Sequence, residues 1–296
     1  MFENIIGATT GWRKIEYNWR DSALYALAVG AGDQDSDYWY EKNMKALPSF
    51  GVLPYWNAVN NEPQQPLPFP AANLAREMMM KELGQTFHQG MHMSHELIMH
   101  RPIDPIKGTL VFKDTVTNIY DRGEGKGVMV ETKVPVYDEA GRLLCENVSC
   151  THMQTSGGFG GPPAPKSKIE YPGREPDYIV DSEVSRVQNA LYRLTGDTNL
   201  EHVDMEVLQK GGIKNDRLFM QGLASFGFAC RMMIEAILPG EPERMTRMAV
   251  QMRSVCYLGI PVQIRAWKTD EHKAVFKYID MNTGKAILDN CIFEWQ

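Results

Sequence analysis

The sequence lacks the features of nucleic-acid-binding, secreted and membrane-spanning proteins. Its 31 Lys and Arg residues are outnumbered by 37 Asp and Glu residues, which leaves a formal net charge of −6. Because phosphate groups are bound by basic surfaces, this balance argues against a nucleic acid or an anionic membrane as the main partner. The first residues show no signal-peptide core, no apolar run reaches membrane-spanning length, and the last residues, IFEWQ, are not a peroxisomal address. We therefore expect a soluble, cytoplasmic protein.

Cysteine is scarce as well. The five cysteines form no C-x-x-C pair, so we expect reduced, buried thiols rather than a disulfide framework. The histidines His92, His95 and His100 cluster, but their order differs from the H-E-x-x-H motif, and a strand would turn His92 and His95 to opposite faces. The sequence therefore predicts no metal site.

One segment without helical or strand periodicity interrupts the chain at residues 156–168, SGGFGGPPAPKSK. It is rich in Gly and Pro and lacks the Gly-Lys-Ser/Thr end of a phosphate-binding loop, which indicates a linker between two domains. The predicted organisation is an N-terminal domain over residues 1–155, a linker over 156–175 and a C-terminal domain over 176–296.

The two flanks of this linker resemble each other weakly. In both, ALY opens a helix-like segment that ends at Gly and reaches an acidic residue, at 23–33 and at 190–197. Near their ends, AGRLLCEN at 140–147 resembles TGKAILDN at 283–290, each within a predicted hairpin. Two matches in the same order suggest a duplicated α+β unit.

Alternating apolar residues predict strands over most of the remaining chain. The segment LASFGFACRMMIEAIL at 223–238 is instead apolar on nearly every side, so it predicts a helix enclosed by protein. Antiparallel strands with one enclosed helix per half describe an α+β double hot-dog fold. The candidate helix of the first half, at 71–84, carries four charges, from which we infer a looser interior that could hold a bulky apolar ligand. The strands are predicted at 92–100, 109–119, 126–137, 248–257, 262–267 and 273–281.

A carboxylate, an amide and an imidazole lie close together in GDTNLEH, as Asp197, Asn199 and His202. A carboxylate and a neutral imidazole on one turn can hold a single water, so that one group takes its proton while the other protonates a neighbouring carbon. The enclosed helix begins near Gly222, whose backbone N–H has no intrahelical partner and could stabilise an oxyanion. On this short motif alone, an ordinary polar loop after a helix remains an alternative.

The context of this loop resembles the hydratase 2 motif of the MaoC-like family. Members typically read Y-R-L-S-G-D-x-N-P-L-H-x-D and then H-G-L-x-x-x-G, which is similar to YRLTGDTNLEHVD at 192–204 and QGLASFGFA at 221–229. The first half is also similar to two-domain members, the type found in peroxisomal multifunctional enzymes of type 2. These similarities are YALAVGAG at 25–32, LPSFGVLP at 47–54, HRPI at 100–103 and GGFGG at 157–161.

This resemblance implies a double hot-dog fold and the reversible hydration of a trans-2-enoyl-CoA to a (3R)-3-hydroxyacyl-CoA, without a cofactor. The family's catalytic Asp and His fall on Asp197 and His202, its water-loop Asn on Asn199, and its oxyanion glycine on Gly222. The degenerate first half would hold the acyl chain, in agreement with its looser predicted interior. We therefore expect an acyl-CoA thioester as partner and allow for a homodimer.

The departures from the family pattern that bear on the site are Leu200 and Glu201, which replace Pro and Leu, and Gln221, which replaces His. Glu201 would raise the His202 pKa if it faced inward, but we expect it to be exposed. Two alternatives stay open. One is a non-catalytic acyl-CoA-binding or assembly subunit, and the other is a biosynthetic 3-hydroxyacyl thioester dehydratase that uses the same site in reverse.

Overall fold

The computed structural model of the chain describes residues 2, 5–9, 11–53, 90–154, 157–166, 168–197, 199–210 and 215–296. Its strands are β1 (Arg13–Asn18), β2 (Gly90–Met99), β3 (Lys107–Phe112), β4 (Thr115–Asp121), β5 (Val128–Tyr137), β6 (Leu143–Met153), β7 (Tyr178–Val184), β8 (Met245–Met252), β9 (Ile260–Asp270), β10 (Lys273–Asp280) and β11 (Ala286–Trp295). In these ranges the eleven strands form one sheet in the order β1-β3-β5-β6-β2-β8-β11-β10-β9-β7, and β4 pairs with β5 beside this path.

Strands β2 and β8 join the two halves of the sheet. They pair antiparallel, from Ser94 opposite Gln251 to Ile98 opposite Arg247. The other neighbouring strands are also antiparallel. The predicted hairpins are confirmed, because β5 pairs with β6 and β10 pairs with β11. Two successive antiparallel units therefore lie side by side in one continuous sheet.

The four helices described as α-helical are α1 (Trp19–Ala28), α2 (Gln188–Leu194), α3 (Met205–Lys210) and α4 (Gly222–Ile237). The prediction of an enclosed helix is confirmed, since twelve of the sixteen residues of α4 are buried. This helix packs closely on the first half. A Cβ added to Gly227 would lie 2.4 Å from Val29 Cγ1, so the approach requires glycine at this position.

Arg231 is the buried charge of α4, with 5% of its surface exposed. Its guanidinium donates to the Val29 carbonyl at 3.3 Å and to the Ser182 hydroxyl at 3.1 Å, and it lies 3.5 Å from an Asp35 carboxylate oxygen. A buried charge is tolerated where hydrogen bonds and an opposite charge compensate its lost hydration. Arg231 therefore ties the enclosed helix to both halves of the chain.

The prediction of one strand at 109–119 is wrong, because two strands occupy it. β3 ends at Phe112 and β4 begins at Thr115, where the chain leaves the main path of the sheet. Between them lies Asp114, whose side chain is fully buried and forms an ion pair with Arg13 at 2.8 Å. Leu110, Phe112 and Val116 keep one two-residue period with Asp114 in place of an apolar residue, which is why the sequence pattern did not reveal the break.

The predicted placement of His92 and His95 on opposite faces is also wrong. The pairing of β2 with β6 shifts register between His92 and Ser94, which marks a β-bulge. The extra residue cancels the alternation, and the two rings lie 5.4 Å apart in an edge-to-face contact. Burial lowers the pKa of His92 to about 4 and that of His95 to about 3, so both rings are neutral at neutral pH.

Two predictions about domain organisation stay predictions. The candidate helix at 71–84 lies outside the described residues, so the looser interior of the first half stays a prediction. The boundaries 1–155, 156–175 and 176–296 stay predictions as well. Part of the predicted linker is held on the first half, because the N–H groups of Gly158 and Gly160 each donate to the Asp121 carboxylate at 2.8 Å. Among the described helices, none has both the length and the apolar character needed to cross a membrane.

Candidate functional site

The loop at 196–202 follows α2 and ends in a short 3-10 turn, Leu200–His202. Gly196 has φ 126°, a conformation that favours glycine, and it turns the chain away from α2. The Asn199 N–H donates to Asp197 Oδ1 at 3.2 Å, and the Asn199 side chain accepts from the Glu201 N–H at 3.2 Å. These local bonds are typical of Asn and Asp in turns, and they fix the loop from within.

Asp197 and His202 lie close enough for each to affect the ionisation of the other. Asp197 is 3% exposed, and burial raises its pKa, against the lowering effects of His202, the Asn199 N–H and Arg193. Burial lowers the pKa of His202, and Asp197 is the strongest of the groups that oppose this shift. A raised carboxyl pKa and a lowered imidazole pKa bring the two proton affinities towards each other.

The His202 ring is oriented by the segment that precedes α4. Its Nδ1 donates to the Phe219 carbonyl at 3.2 Å, and its ring meets the Phe219 ring edge-to-face at 5.1 Å. Because a carbonyl only accepts, Nδ1 carries the proton, and Nε2 of the neutral ring keeps a lone pair. The backbone carbonyl of the same residue, His202, accepts from the Asn189 side-chain amide at 2.5 Å.

Gly222 is the first residue of α4, three positions after Phe219. The first N–H groups of a helix lack intrahelical acceptors, and the helix dipole favours negative charge at this end. A Cβ added to Gly222 would lie 2.8 Å from Met252 Sδ and 3.2 Å from Met252 Cε, so the thioether end of Met252 lies beside this glycine. The structure thus connects the His202 ring to the start of α4 through one short stretch of chain.

Gln221 precedes Gly222 and is almost fully buried, with 1% of its surface exposed. Its Nε2 donates to the Asn189 carbonyl at 3.2 Å, while its Oε1 is buried and has no hydrogen-bond partner among the described residues. Gln221 therefore holds α2 against α4, and through Asn189 it supports the His202 backbone. The sequence marked Gln221 only as a departure from the family pattern.

Glu201 is half-buried rather than exposed, contrary to expectation. The Asn199 side-chain amide donates to its carboxylate at 3.4 Å, and Glu201 is the weakest of the groups that raise the His202 pKa. The sequence also missed Asn189, Phe219 and Met252. None belongs to the short motif: Asn189 and Phe219 contact His202, and Met252 of β8 lies beside Gly222.

No cluster of three or more His, Cys, Asp and Glu side chains suited to a metal occurs in the described part of the chain. A cavity of about 220 Å³ lies near the other end of α4, between Met99, Ile103 and Met245. None of the four predicted site residues lines this cavity. His202 instead contacts Phe219, three positions before the start of α4, and Asp197 and Asn199 lie on the same loop as His202.

Two domain families match the chain. The MFE-2 hydratase 2 N-terminal domain matches residues 15–154, and the MaoC like domain matches residues 168–290. The second match contains Asp197, Asn199, His202 and Gly222, while the first lies wholly before the predicted linker.

Curated relatives are similar over most of the chain. The probable enoyl-CoA hydratase 2 of Dictyostelium discoideum is 28% identical, covering 94% of this chain and 91% of that protein. The 3-hydroxyacyl-thioester dehydratase Y of Mycobacterium tuberculosis is 29% identical, covering 93% of this chain and 90% of that protein. The mouse peroxisomal multifunctional enzyme type 2 is 27% identical over 93% of this chain, which spans only 36% of that longer protein.

Solved structures confirm the predicted α+β double hot-dog fold. A MaoC-like dehydratase from Phytophthora capsici has a TM-score of 0.85 at 26% identity, covering 98% of this chain and 95% of that chain. The Drosophila melanogaster peroxisomal multifunctional enzyme type 2 has a TM-score of 0.74 at 25% identity, covering 96% of this chain and 48% of that chain. A mycobacterial protein described as a double hot-dog, with a TM-score of 0.60 at 14% identity, covers 99% of this chain and 97% of that chain and supports the fold alone. Since the two domain matches together cover most of its length, the chain belongs to the two-domain MaoC-like hydratase 2 family.

Proposed function

We propose that the protein is a hydro-lyase that reversibly adds water to a trans-2-enoyl-CoA and forms a (3R)-3-hydroxyacyl-CoA. The observation that carries this proposal is the placement of buried Asp197 and neutral His202 on one loop that is tied to the start of α4. Relatives named as an enoyl-CoA hydratase and a 3-hydroxyacyl-thioester dehydratase support the reaction class, and the (3R) configuration is what the family resemblance implies.

The Asp197–His202 pair holds the reacting water. The free lone pair of His202 Nε2 and the Asp197 carboxylate accept from the two water protons, and Asn199 braces the loop between them. In hydration the water oxygen bonds to C3, one water proton passes to the pair, and the pair returns one proton to C2. The pair ends as it began, so one water is consumed and no co-reactant is needed. Because both side chains lie on one loop, we infer that the two additions occur on the same face.

The N–H of Gly222 stabilises the charge that develops on the thioester oxygen. As the water oxygen attacks C3, electron density moves through C2 to this oxygen and forms an enolate. A preorganised backbone donor at such a position contributes about 3 kcal/mol to the lowering of the barrier. The acyl chain extends into the first half, whose interior is expected to be looser. The acyl-CoA is thus both substrate and principal partner.

The same site also supports the reverse reaction, the dehydration of a 3-hydroxyacyl thioester. An enzyme accelerates both directions of a reaction equally at a given equilibrium, so the direction in the cell follows the supply of thioester rather than the site. The similarity to dehydratase Y favours this second use. The cytoplasmic location and the homodimer stay predictions, and the compartment is open because relatives include proteins named as peroxisomal.

The test compares wild type and Asp197→Asn in the hydration of crotonyl-CoA and of a long-chain trans-2-enoyl-CoA. The reaction is monitored as the loss of the absorbance of the enoyl thioester. We expect kcat to fall by about 10²–10⁴-fold in the variant, the usual contribution of a positioned acid–base group. Asp33→Asn is the matched control, because Asp33 is the exposed acidic residue at the corresponding position of the first half and should leave the rate unchanged.

Hydration unaffected by Asp197→Asn would remove the assigned mechanism. If wild type bound acyl-CoA but turned over no enoyl thioester, the non-catalytic binding subunit would be the better assignment. Chiral analysis of the product tests the stereochemistry separately, since a (3S) product would contradict it.

A further inference from the structure

The end of Met252 lies at the N-terminal end of α4, at the residue proposed to bind the thioester oxygen. A Cβ on Gly222 would meet Met252 Sδ at 2.8 Å and Cε at 3.2 Å, both closer than ordinary carbon contacts. In a helix the Cα–Cβ direction tilts towards the N-terminus, which is also the direction of the unpaired N–H groups. The thioether and an oxygen bound to the Gly222 N–H therefore occupy neighbouring space.

Met252 also lies at the junction between the two halves of the chain. It is the last residue of β8, directly after Gln251, which pairs with Ser94 of β2 in the first half. In the proposed function, an acyl chain must pass this junction on its way from the site in the second half to the interior of the first half. The acyl carbons next to the thioester are the part of the substrate that lies nearest to the start of α4.

The Met252 side chain is flexible, but it still occupies the space beside Gly222. Met252 is half-buried, and its three rotatable bonds let it repack around an unbranched chain. A substituent on C2 is different, because C2 is two bonds from the oxygen held at Gly222 and cannot move away from the wall without breaking that contact. Space for the substituent would then require a displacement of the Met252 side chain.

We propose that Met252 is a specificity-determining residue that makes the site select enoyl thioesters unbranched at C2 over their 2-methyl analogues. This inference rests on the proposed function, since it assumes that the thioester oxygen binds at Gly222. It names a substrate class for that site, namely straight acyl chains at the carbon next to the thioester.

The experiment compares crotonyl-CoA with its 2-methyl analogue, tigloyl-CoA, in wild type, Met252→Ala and Met252→Leu. The measured quantity is the ratio of kcat/KM for tigloyl-CoA to kcat/KM for crotonyl-CoA. The two thioesters differ in intrinsic reactivity, but this difference is the same for every variant and cancels when the ratios of the variants are compared. Removing the thioether should raise this ratio by at least about 10-fold, the usual discrimination attached to one methyl group in an apolar pocket. Met252→Leu conserves the volume and should leave the ratio near the wild-type value.

Met252→Val gives a second small variant if Met252→Ala fails to fold, because a β-branched residue suits the end of a strand. A ratio that stays at the wild-type value in the folded small variants would overturn the inference. The proposed function has its own criterion, since it fails if wild type does not hydrate crotonyl-CoA. If wild type hydrates crotonyl-CoA but the tigloyl-CoA to crotonyl-CoA ratio of kcat/KM is unchanged in the variants, only the role of Met252 is contradicted.

Discussion

Gln221→Met separates the stability of the site from its activity. The substitution keeps the length of the side chain and removes both polar atoms. In the wild type, Nε2 donates to the Asn189 carbonyl at 3.2 Å, while Oε1 is buried without a hydrogen-bond partner among the described residues. The variant therefore loses one hydrogen bond and also loses one unsatisfied buried acceptor.

These two changes have opposite effects on the free energy of unfolding. A typical hydrogen bond contributes about 0.5–1.5 kcal/mol net, whereas an unsatisfied buried polar atom costs about 1–3 kcal/mol. The expected stability of the variant is therefore equal to that of wild type or higher. The activity should still fall, because Asn189 loses its tie to α4 and its side chain holds the His202 carbonyl. A loss of about 1 kcal/mol in transition-state stabilisation corresponds to about a five-fold lower kcat.

The assays are urea unfolding and steady-state hydration of crotonyl-CoA. KM should change little, since Gln221 is buried under the loop and is not placed against the substrate. Gln34→Met, at an exposed glutamine, is the control for the substitution itself. An unchanged kcat would refute the reasoning, because it would show that Gln221 does not act on His202. A variant destabilised by more than about 2 kcal/mol would also refute it, because the buried, unsatisfied Gln221 Oε1 would then carry no cost in stability.

Two further predictions follow from the same contacts. Asn189→Ala should lower kcat as Gln221→Met does. The kcat of the double variant should be little lower than that of Asn189→Ala alone, because both residues act on His202 through one chain of hydrogen bonds. A double-mutant cycle measures this coupling, and additive losses in kcat would count against it. Asp197→Asn should be more stable than wild type at neutral pH although its kcat is expected to be much lower. Burial raises the Asp197 pKa above the usual 3.8, so wild-type stability falls as the pH rises from below 3.8 through the folded-state pKa, and the variant lacks this penalty. Thermal unfolding at a series of pH values should show the difference shrinking at acidic pH, and an equal gap at all pH values would contradict the assignment.

Local sequence patterns were sufficient to predict the structure in two situations. One is a segment that is apolar on nearly every side, and the other is a short motif whose residues contact each other. The run at 223–238 is apolar on nearly every side, so its enclosure as α4 follows from the sequence alone. The spacing of Asp197, Asn199 and His202 also indicated a polar loop, and the hydrogen bonds of Asn199 within this loop are local. In both cases the interactions that decide the structure lie within a few residues of each other.

The same patterns failed where a long-range partner decides the geometry. The bulge between His92 and Ser94 arises in the pairing of β2 with β6, so alternation along β2 gave the wrong face for His92. The break between β3 and β4 contains Asp114, whose partner Arg13 is about 100 positions earlier in the chain. No window of local sequence contains both members of such a pair.

The sequence by itself therefore determined the two-unit α+β architecture, the enclosed helix and the chemical identity of the candidate site residues. Only the tertiary structure decided that the Phe219 carbonyl sets the His202 tautomer, that Gln221 and Asn189 support the loop, and that Met252 lies beside Gly222. The physical reason is that residue type sets what a side chain can donate, accept or bury. Which partner it meets depends on strands and helices that are distant in the chain and adjacent only after folding.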